Sequence, residues 1–292
     1  MALTEEFVIY VSIRLVMRRR TKLVVAQSFA KDFTCGVICQ SPVDRFETFL
    51  CFCEFSEINA YQATTQIFHP REKKYYDGLF SKRARSYQIG RYVAKRAVAA
   101  LTGEKEFRNI LVEQGIFDQP VVTCRVRSNV QVSITHCDGL GAAIAFWENY
   151  PMGIDIERIN LEHSNLLEGQ LTEQEKELIK TLPYPYQAAL TIFWTSKEAL
   201  SKVLRTGLTT PLYIYEVSKV EVYHKFIISY YLNFTQYLTV SFVSEPYVCS
   251  LTFPKNIKID FEFHIKEIRQ TLDRTLDNLQ RQFWPIEQND AI

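Results

Sequence analysis

Asn149-Tyr-Pro-Met-Gly-Ile-Asp-Ile-Glu-Arg158 decides how this chain is read. The Pro-Met-Gly segment carries turn chemistry. The residues after it alternate apolar and acidic, the period-two pattern of a strand with one face in a core. On such a strand Ile154 and Ile156 face inward, while Asp155 and Glu157 share the other face about 7 Å apart. The turn restarts the chain, and both sides of it place a long helix ahead of several strands.

Upstream, Phe7 to Met17 and Lys22 to Phe29 read as strands on β-branched content and alternation. Phe80 to Leu101 reads as a long helix ended by Gly103. Strand patterns follow over Asn109 to Val112, Pro120 to Arg127, Val130 to Thr135 and Ala142 to Trp147. Downstream, Thr172 and Glu175 form a capping box that opens a helix. Pro183 and Pro185 break the pattern before a longer helix from about Gln187 to Arg205, stopped by Gly207. Strands are expected around Tyr213–Tyr223, Phe226–Leu232, Tyr237–Ser241 and Tyr247–Phe253. The fold class is therefore α+β, with two similar lobes, each a long helix packed on an antiparallel sheet. The boundaries expected are 1–148 and 149–260. A helical extension over 261–292 is read from Ile265, Ile268, Leu272, Leu276, Leu279 and Phe283 at helical spacing.

Composition narrows the function classes. With 47% hydrophobic residues, 20 Phe and 16 Tyr in 292 residues, the chain is not low-complexity or disordered. No uncharged apolar run approaches the ~20 residues of a membrane helix. The start of the chain, with Glu5 and Glu6, is unlike a signal peptide. Seven cysteines without regular spacing form neither a disulfide framework nor a zinc pattern, so a reduced, cytoplasmic setting is expected. Two lobes paired within one chain predict a monomer.

The net charge of +1 conceals a local asymmetry. Arg71 to Arg108 holds eleven Lys or Arg against four acids, whereas Glu148 to Leu178 holds eight acids against two bases. The first stretch suits anions and the second cations. A nucleic-acid partner is disfavoured by the near-neutral total and the lack of a binding motif.

Four segments carry candidate chemistry. Asp155 and Glu157, side by side on one strand face, repel each other unless a cation sits between them, and hard oxygen ligands of this kind suit magnesium together with substrate phosphates. Taken singly, the same pattern also fits an exposed polar face. Phe193-Trp-Thr-Ser-Lys-Glu-Ala-Leu-Ser-Lys202 places Glu198 and Lys202 one turn apart, beside Trp194 and opposite the face formed by Ala189, Ile192, Phe193, Leu200, Val203 and Leu204. Glu198 brought to Asp155 and Glu157 would complete a magnesium site, with Lys202 reaching a bridging phosphate. Val132-Ser-Ile-Thr-His136 ends in a glycine-bearing hairpin where Thr135, His136 and backbone amides could meet a phosphate. Finally, Lys82, Arg83, Arg85, Arg91, Lys95 and Arg96 make a basic helix on which Arg91 and Lys95, one turn apart, could grip a terminal phosphate.

These segments, in this order, resemble the surfactin-synthetase-type 4′-phosphopantetheinyl transferases over roughly residues 70 to 253. Gly153-Ile-Asp-Ile-Glu157 with Trp194-Thr-Ser-Lys-Glu198-Ala-Leu-Ser-Lys202 is similar to the family's signature pair. Ser133-Ile-Thr-His136 is similar to its phosphate segment, Arg205-Thr-Gly207-Leu-Thr-Thr-Pro211-Leu to its glycine-leucine…proline-leucine turn, and Ser86-Tyr-Gln-Ile-Gly90-Arg91-Tyr-Val-Ala-Lys95 to its coenzyme A helix. The resemblance implies pseudo-symmetric lobes with coenzyme A between them and an acyl or peptidyl carrier protein as partner. Asp155 and Glu198 would ligate Mg2+, with Glu157 binding directly or through water. Thr135 and His136 would contact phosphates, and Arg91 or basic neighbours such as Lys95 the 3′-phosphate. Lys202 would stabilise the pyrophosphate or protonate the leaving group. Glu198, or a water on the metal, would take the proton of the acceptor serine. Many relatives have Gly-Lys-Pro before the histidine segment, where this chain has Asp118-Gln119-Pro120. A magnesium-dependent phosphohydrolase using the same acids is the alternative enzyme.

Overall fold

The structure, a computed structural model, describes residues 31–55, 64–260, 264–266 and 268–270. The fold is α+β, built on two five-stranded antiparallel sheets. The first has the order β12-β1-β2-β6-β5, from β1 (Lys31–Gln40), β2 (Arg45–Glu54), β5 (Val130–Cys137), β6 (Leu140–Trp147) and β12 (Lys258–Ile259). The second runs β7-β11-β10-β9-β8, from β7 (Gly153–Arg158), β8 (Val217–Val222), β9 (Ile227–Tyr231), β10 (Tyr237–Ser244) and β11 (Tyr247–Pro254). A small hairpin, β3 (Ile110–Gln114) with β4 (Pro120–Cys124), stands beside the first sheet.

Five α-helices lie between these strands: α1 (Pro70–Tyr76), α2 (Ser81–Thr102), α3 (Ser164–Glu168), α4 (Glu173–Lys180) and α5 (Tyr186–Leu204). One core joins the inner faces of the two sheets, with Leu50, Phe52, Ile144, Ile154, Ile156, Phe242 and Phe253 buried in it. Helix α2 covers the other face of the first sheet through Val93, Ala97 and Val98. Helix α5 covers the other face of the second through Ala189, Ile192, Phe193 and Leu200.

Local chemistry explains the helix ends. Gly103, with φ 77°, supplies the left-handed residue that closes α2. Thr172 and Glu175 form the expected capping box on α4, and His69 with Glu72 forms another on α1. Helix α5 closes on Arg205 itself in the left-handed region, φ 57°, two residues before the glycine expected to stop it. Glycine also sets one close approach. A Cβ on Gly153 would lie 2.1 Å from the carbonyl oxygen of Ala199, so only glycine lets α5 lie this close to β7.

Some expectations need correction. The strands β1 and β2 were not anticipated, because Cys, Gly and Gln dilute the strand signal in Lys31–Gln40. The segment expected as a strand from Tyr213 begins as a 3₁₀ turn, Leu212–Tyr215, following Pro211, and the strand starts at Val217. The expected strands over residues 7–17 and 22–29 lie outside the described residues, as does most of the expected tail. Residues 264–266 and 268–270 are helical, and Ile265 and Ile268 enter the central core. No helix among the described residues is long and apolar enough to cross a membrane.

Candidate active site

The two sheets meet edge to edge at β5 and β7, and the site lies along that seam. Asp155 is at the middle of β7, 3% exposed, on the face turned away from Ile154 and Ile156. Its Oδ1 accepts from Thr135 Oγ1 at 2.9 Å and from Lys202 Nζ at 2.7 Å. Lys202 also donates to the carbonyl of Ile154 at 3.0 Å. The second oxygen, Oδ2, is buried with no hydrogen-bond partner.

A cavity of about 420 Å3 collects residues from both sheets: Arg91 and Tyr87 of α2, Thr135 and His136 of β5, Asp155 and Glu157 of β7, and Glu198 and Lys202 of α5. Burial, and then the charge of Asp155, pushes the carboxyls of Glu157 and Glu198 up to about 7. Three carboxylates facing one enclosed space explain that repulsion. His136, on the exposed rim, is held below its usual pKa by the surrounding protein and then by the Lys202 charge, so its ring is neutral near pH 7. A second, largely apolar cavity of about 230 Å3 lies on the other side of Glu198 and Lys202, under the tip of the β3–β4 hairpin at Phe117.

The donor set fits a hard divalent cation. An orphaned buried carboxylate oxygen and two carboxyls pushed up to about 7 by burial and by the Asp155 charge are groups that a cation would stabilise. Among the described residues no three His, Cys, Asp or Glu side chains already stand at cage spacing. Magnesium does not require such a cage, since it commonly takes one or two carboxylates with waters and substrate phosphates.

Of the eight residues given a metal, phosphate or proton-transfer role from the sequence, seven line the larger cavity, and Lys95 does not. Its side chain is fully buried: Nζ pairs with Glu72 at 2.7 Å, donates to the carbonyl of Phe107 at 2.9 Å and also bonds the carbonyl of Ile110. Those three partners use the donors of an ammonium, so none is left for a phosphate. The i,i+4 spacing with Arg91 is real, but Lys95 passes under the β3 end of the helix while Arg91 faces the cleft. Arg91 stacks on the Tyr87 ring, 4.3 Å from its centroid, and its buried Nε has no partner. Arg96 is also diverted, into an ion pair with Asp32. Cys137, beside His136, is no thiolate nucleophile, since burial and then Glu157 push its thiol up to about 12.

Sequence reasoning missed the aromatic side of the cleft. Tyr75 and Tyr87 line it with ring centroids 5.2 Å apart, and Arg83 donates to the Tyr75 hydroxyl at 3.4 Å. The available signal was the four-residue repeat Arg83, Tyr87, Arg91 along one stripe of α2. Gln119, at the position where many relatives of the resembled family carry lysine, turns back on its own hairpin and accepts from the Phe117 amide at 2.9 Å.

Comparison with curated proteins finds no match. Against family models, residues 151–252, the segment that holds Asp155, Glu157, Glu198 and Lys202, match the 4′-phosphopantetheinyl transferase superfamily, which supports phosphopantetheine transfer in general.

Proposed function

We propose that the protein transfers the 4′-phosphopantetheine arm of coenzyme A to a serine of an acyl or peptidyl carrier protein, with Mg2+ as cofactor, in the manner of the surfactin-synthetase-type enzymes. One observation carries the reading: acids from β7 and α5 share a single cavity with Lys202, His136 and Arg91, where a pyrophosphate and its counter-ion would fit. The shared tie of a capping-box glutamate to a long-helix lysine supports the division into two related lobes, with the cleft between them.

Asp155 Oδ2, Glu157 and Glu198 would hold the metal, whose contribution is to neutralise charge developing on the pyrophosphate. Arg91 and Arg83 bind the nucleotide phosphates, and the neutral His136 donates a hydrogen bond to one of them. The serine hydroxyl attacks the β-phosphorus, forming the new P–O ester as the P–O bond to the nucleotide breaks. Glu198 accepts the serine proton, and adenosine 3′,5′-bisphosphate leaves with its charge stabilised by Lys202.

The test is direct. With coenzyme A, Mg2+ and an apo carrier, mass spectrometry should show the carrier gaining one phosphopantetheinyl group. Asp155→Ala and Glu198→Ala should each lower the rate by about 100-fold or more while circular dichroism stays native, as losses of charge-stabilising groups do. Full transfer by either variant would overturn the roles given.

A further inference from the structure

We propose that Ser133 and Thr135 are positioning residues that weld the two sheets at their seam, and that Thr135 in addition fixes Asp155 so that its second oxygen is left without a protein partner. Strand β5 is the last strand of one sheet and β7 the first of the other, and the two edges are not paired by a backbone ladder. Edge strands present rows of N–H groups that must find acceptors when buried. Here the amide of Ile154 donates to Ser133 Oγ at 3.1 Å, and the amide of Ile156 donates to Thr135 Oγ1 at 3.3 Å. Each bond spans the same offset of 21 residues. Ser133 and Thr135 are 4% and 6% exposed and both isoleucines are fully buried, so water does not serve these amides. Two hydroxyls, two residues apart on β5, therefore stand where carbonyls of a neighbouring strand would stand.

Thr135 does more than accept. A hydroxyl has one proton to donate, and this one goes to Asp155 Oδ1 at 2.9 Å. It follows that Thr135 serves the phosphate site through Asp155 and is not itself a phosphate donor. With Lys202 on the same oxygen, the carboxylate is clamped from two sides and the buried Oδ2 is left without a protein partner.

The seam half of this inference is independent of any reaction, and the Asp155 half rests on the magnesium reading, so the two need separate readouts. Amide hydrogen exchange on the whole protein tests the seam. Thr135→Val should lower protection of the Ile156 amide, and Ser133→Ala that of the Ile154 amide, by about tenfold, the scale of one hydrogen bond. Thr135→Ser should restore the first. Unchanged protection in both variants would overturn the weld. Titration calorimetry with MgCl2 alone tests the clamp. Thr135→Val should weaken binding about tenfold, with Thr135→Ser within about threefold of the parent. Equal affinity in the valine variant and the parent would refute the clamp. A parent protein with no Mg2+ binding would refute it too, together with the magnesium reading, while the exchange result would stand.

Discussion

Lys202 and Thr135 both donate to one oxygen of Asp155, and the neighbouring acids Glu157 and Glu198 feel the charge that remains. Those two carboxyls titrate near 7 in the fold against about 4.5 when unfolded, so the folded state binds protons more tightly between those values. Their contribution to stability is complete below about 4.5 and is lost as pH rises through about 7. The metal-free protein should therefore lose melting temperature from pH 5.5 to pH 8 through this pair. A Glu157→Gln/Glu198→Gln variant should show a shallower fall, and added Mg2+ should raise the parent's melting temperature at pH 8 but not that of the variant. Calorimetric melts at the two pH values decide the matter: parallel profiles for parent and variant would sink the assignment. At this scale the sequence was informative about identity but not about coupling. The shared strand face of Asp155 and Glu157 and the one-turn spacing of Glu198 and Lys202 were legible from strand and helix periodicity. The clamp on Asp155 was not, because it depends on how β5 meets β7.

At the scale of elements, the helix that brings Glu198 and Lys202 is placed by a residue with no side chain. Helix α5 lies so close to β7 that any Cβ on Gly153 would meet the Ala199 carbonyl, a backbone atom that cannot step aside without the helix. The comparable contact in the first sheet is softer. A Cβ on Gly141 would lie 2.4 Å from Cγ2 of Ile89, the end of a side chain. Gly153→Ala should thus cost about 1–3 kcal/mol, more than Gly141→Ala, and should also suppress transfer by pushing both α5 residues out of register with Asp155. Denaturant melts of the two variants with an activity assay would check this, and an equally mild Gly153→Ala would show that α5 is not held by the close approach. Helices α2, α4 and α5 were legible because their caps and apolar stripes are local, whereas α1 and α3, with seven and five residues, were not expected. Strands β1 and β2 were illegible although they pair with each other across a short turn, because Cys, Gly and Gln dilute the strand signal in Lys31–Gln40.

At the scale of the whole molecule, one construction occurs twice among the described residues. In the first half, Glu72 caps α1, pairs with Lys95 of α2 and accepts from the Val112 amide of β3 at 2.9 Å. In the second, Glu175 caps α4, pairs with Lys197 of α5 at 2.6 Å and accepts from the Val217 amide of β8 at 2.8 Å. Each glutamate thereby ties a short helix, a long helix and a strand at one buried point, and each holds the long helix that lines the cleft. Neither pair was legible as such, since from the sequence alone Lys95 looked like a surface grip for phosphate. Removing one member of such a buried pair strands the other charge, so Lys95→Met and Lys197→Met should each cost about 3–5 kcal/mol. Pairing the change with Glu72→Gln should recover part of the first loss, because no bare charge then remains buried although one of the two backbone amides loses its acceptor. That double variant separates structure from binding. If Lys95 only ties the fold, Lys95→Met/Glu72→Gln should leave the KM for coenzyme A within about threefold, whereas Arg91→Ala should raise it by about tenfold or more, the cost of a lost charge-assisted contact. Steady-state kinetics on the folded variants reads both effects, and a KM that rises as far in the double variant as in Arg91→Ala would return Lys95 to the binding site.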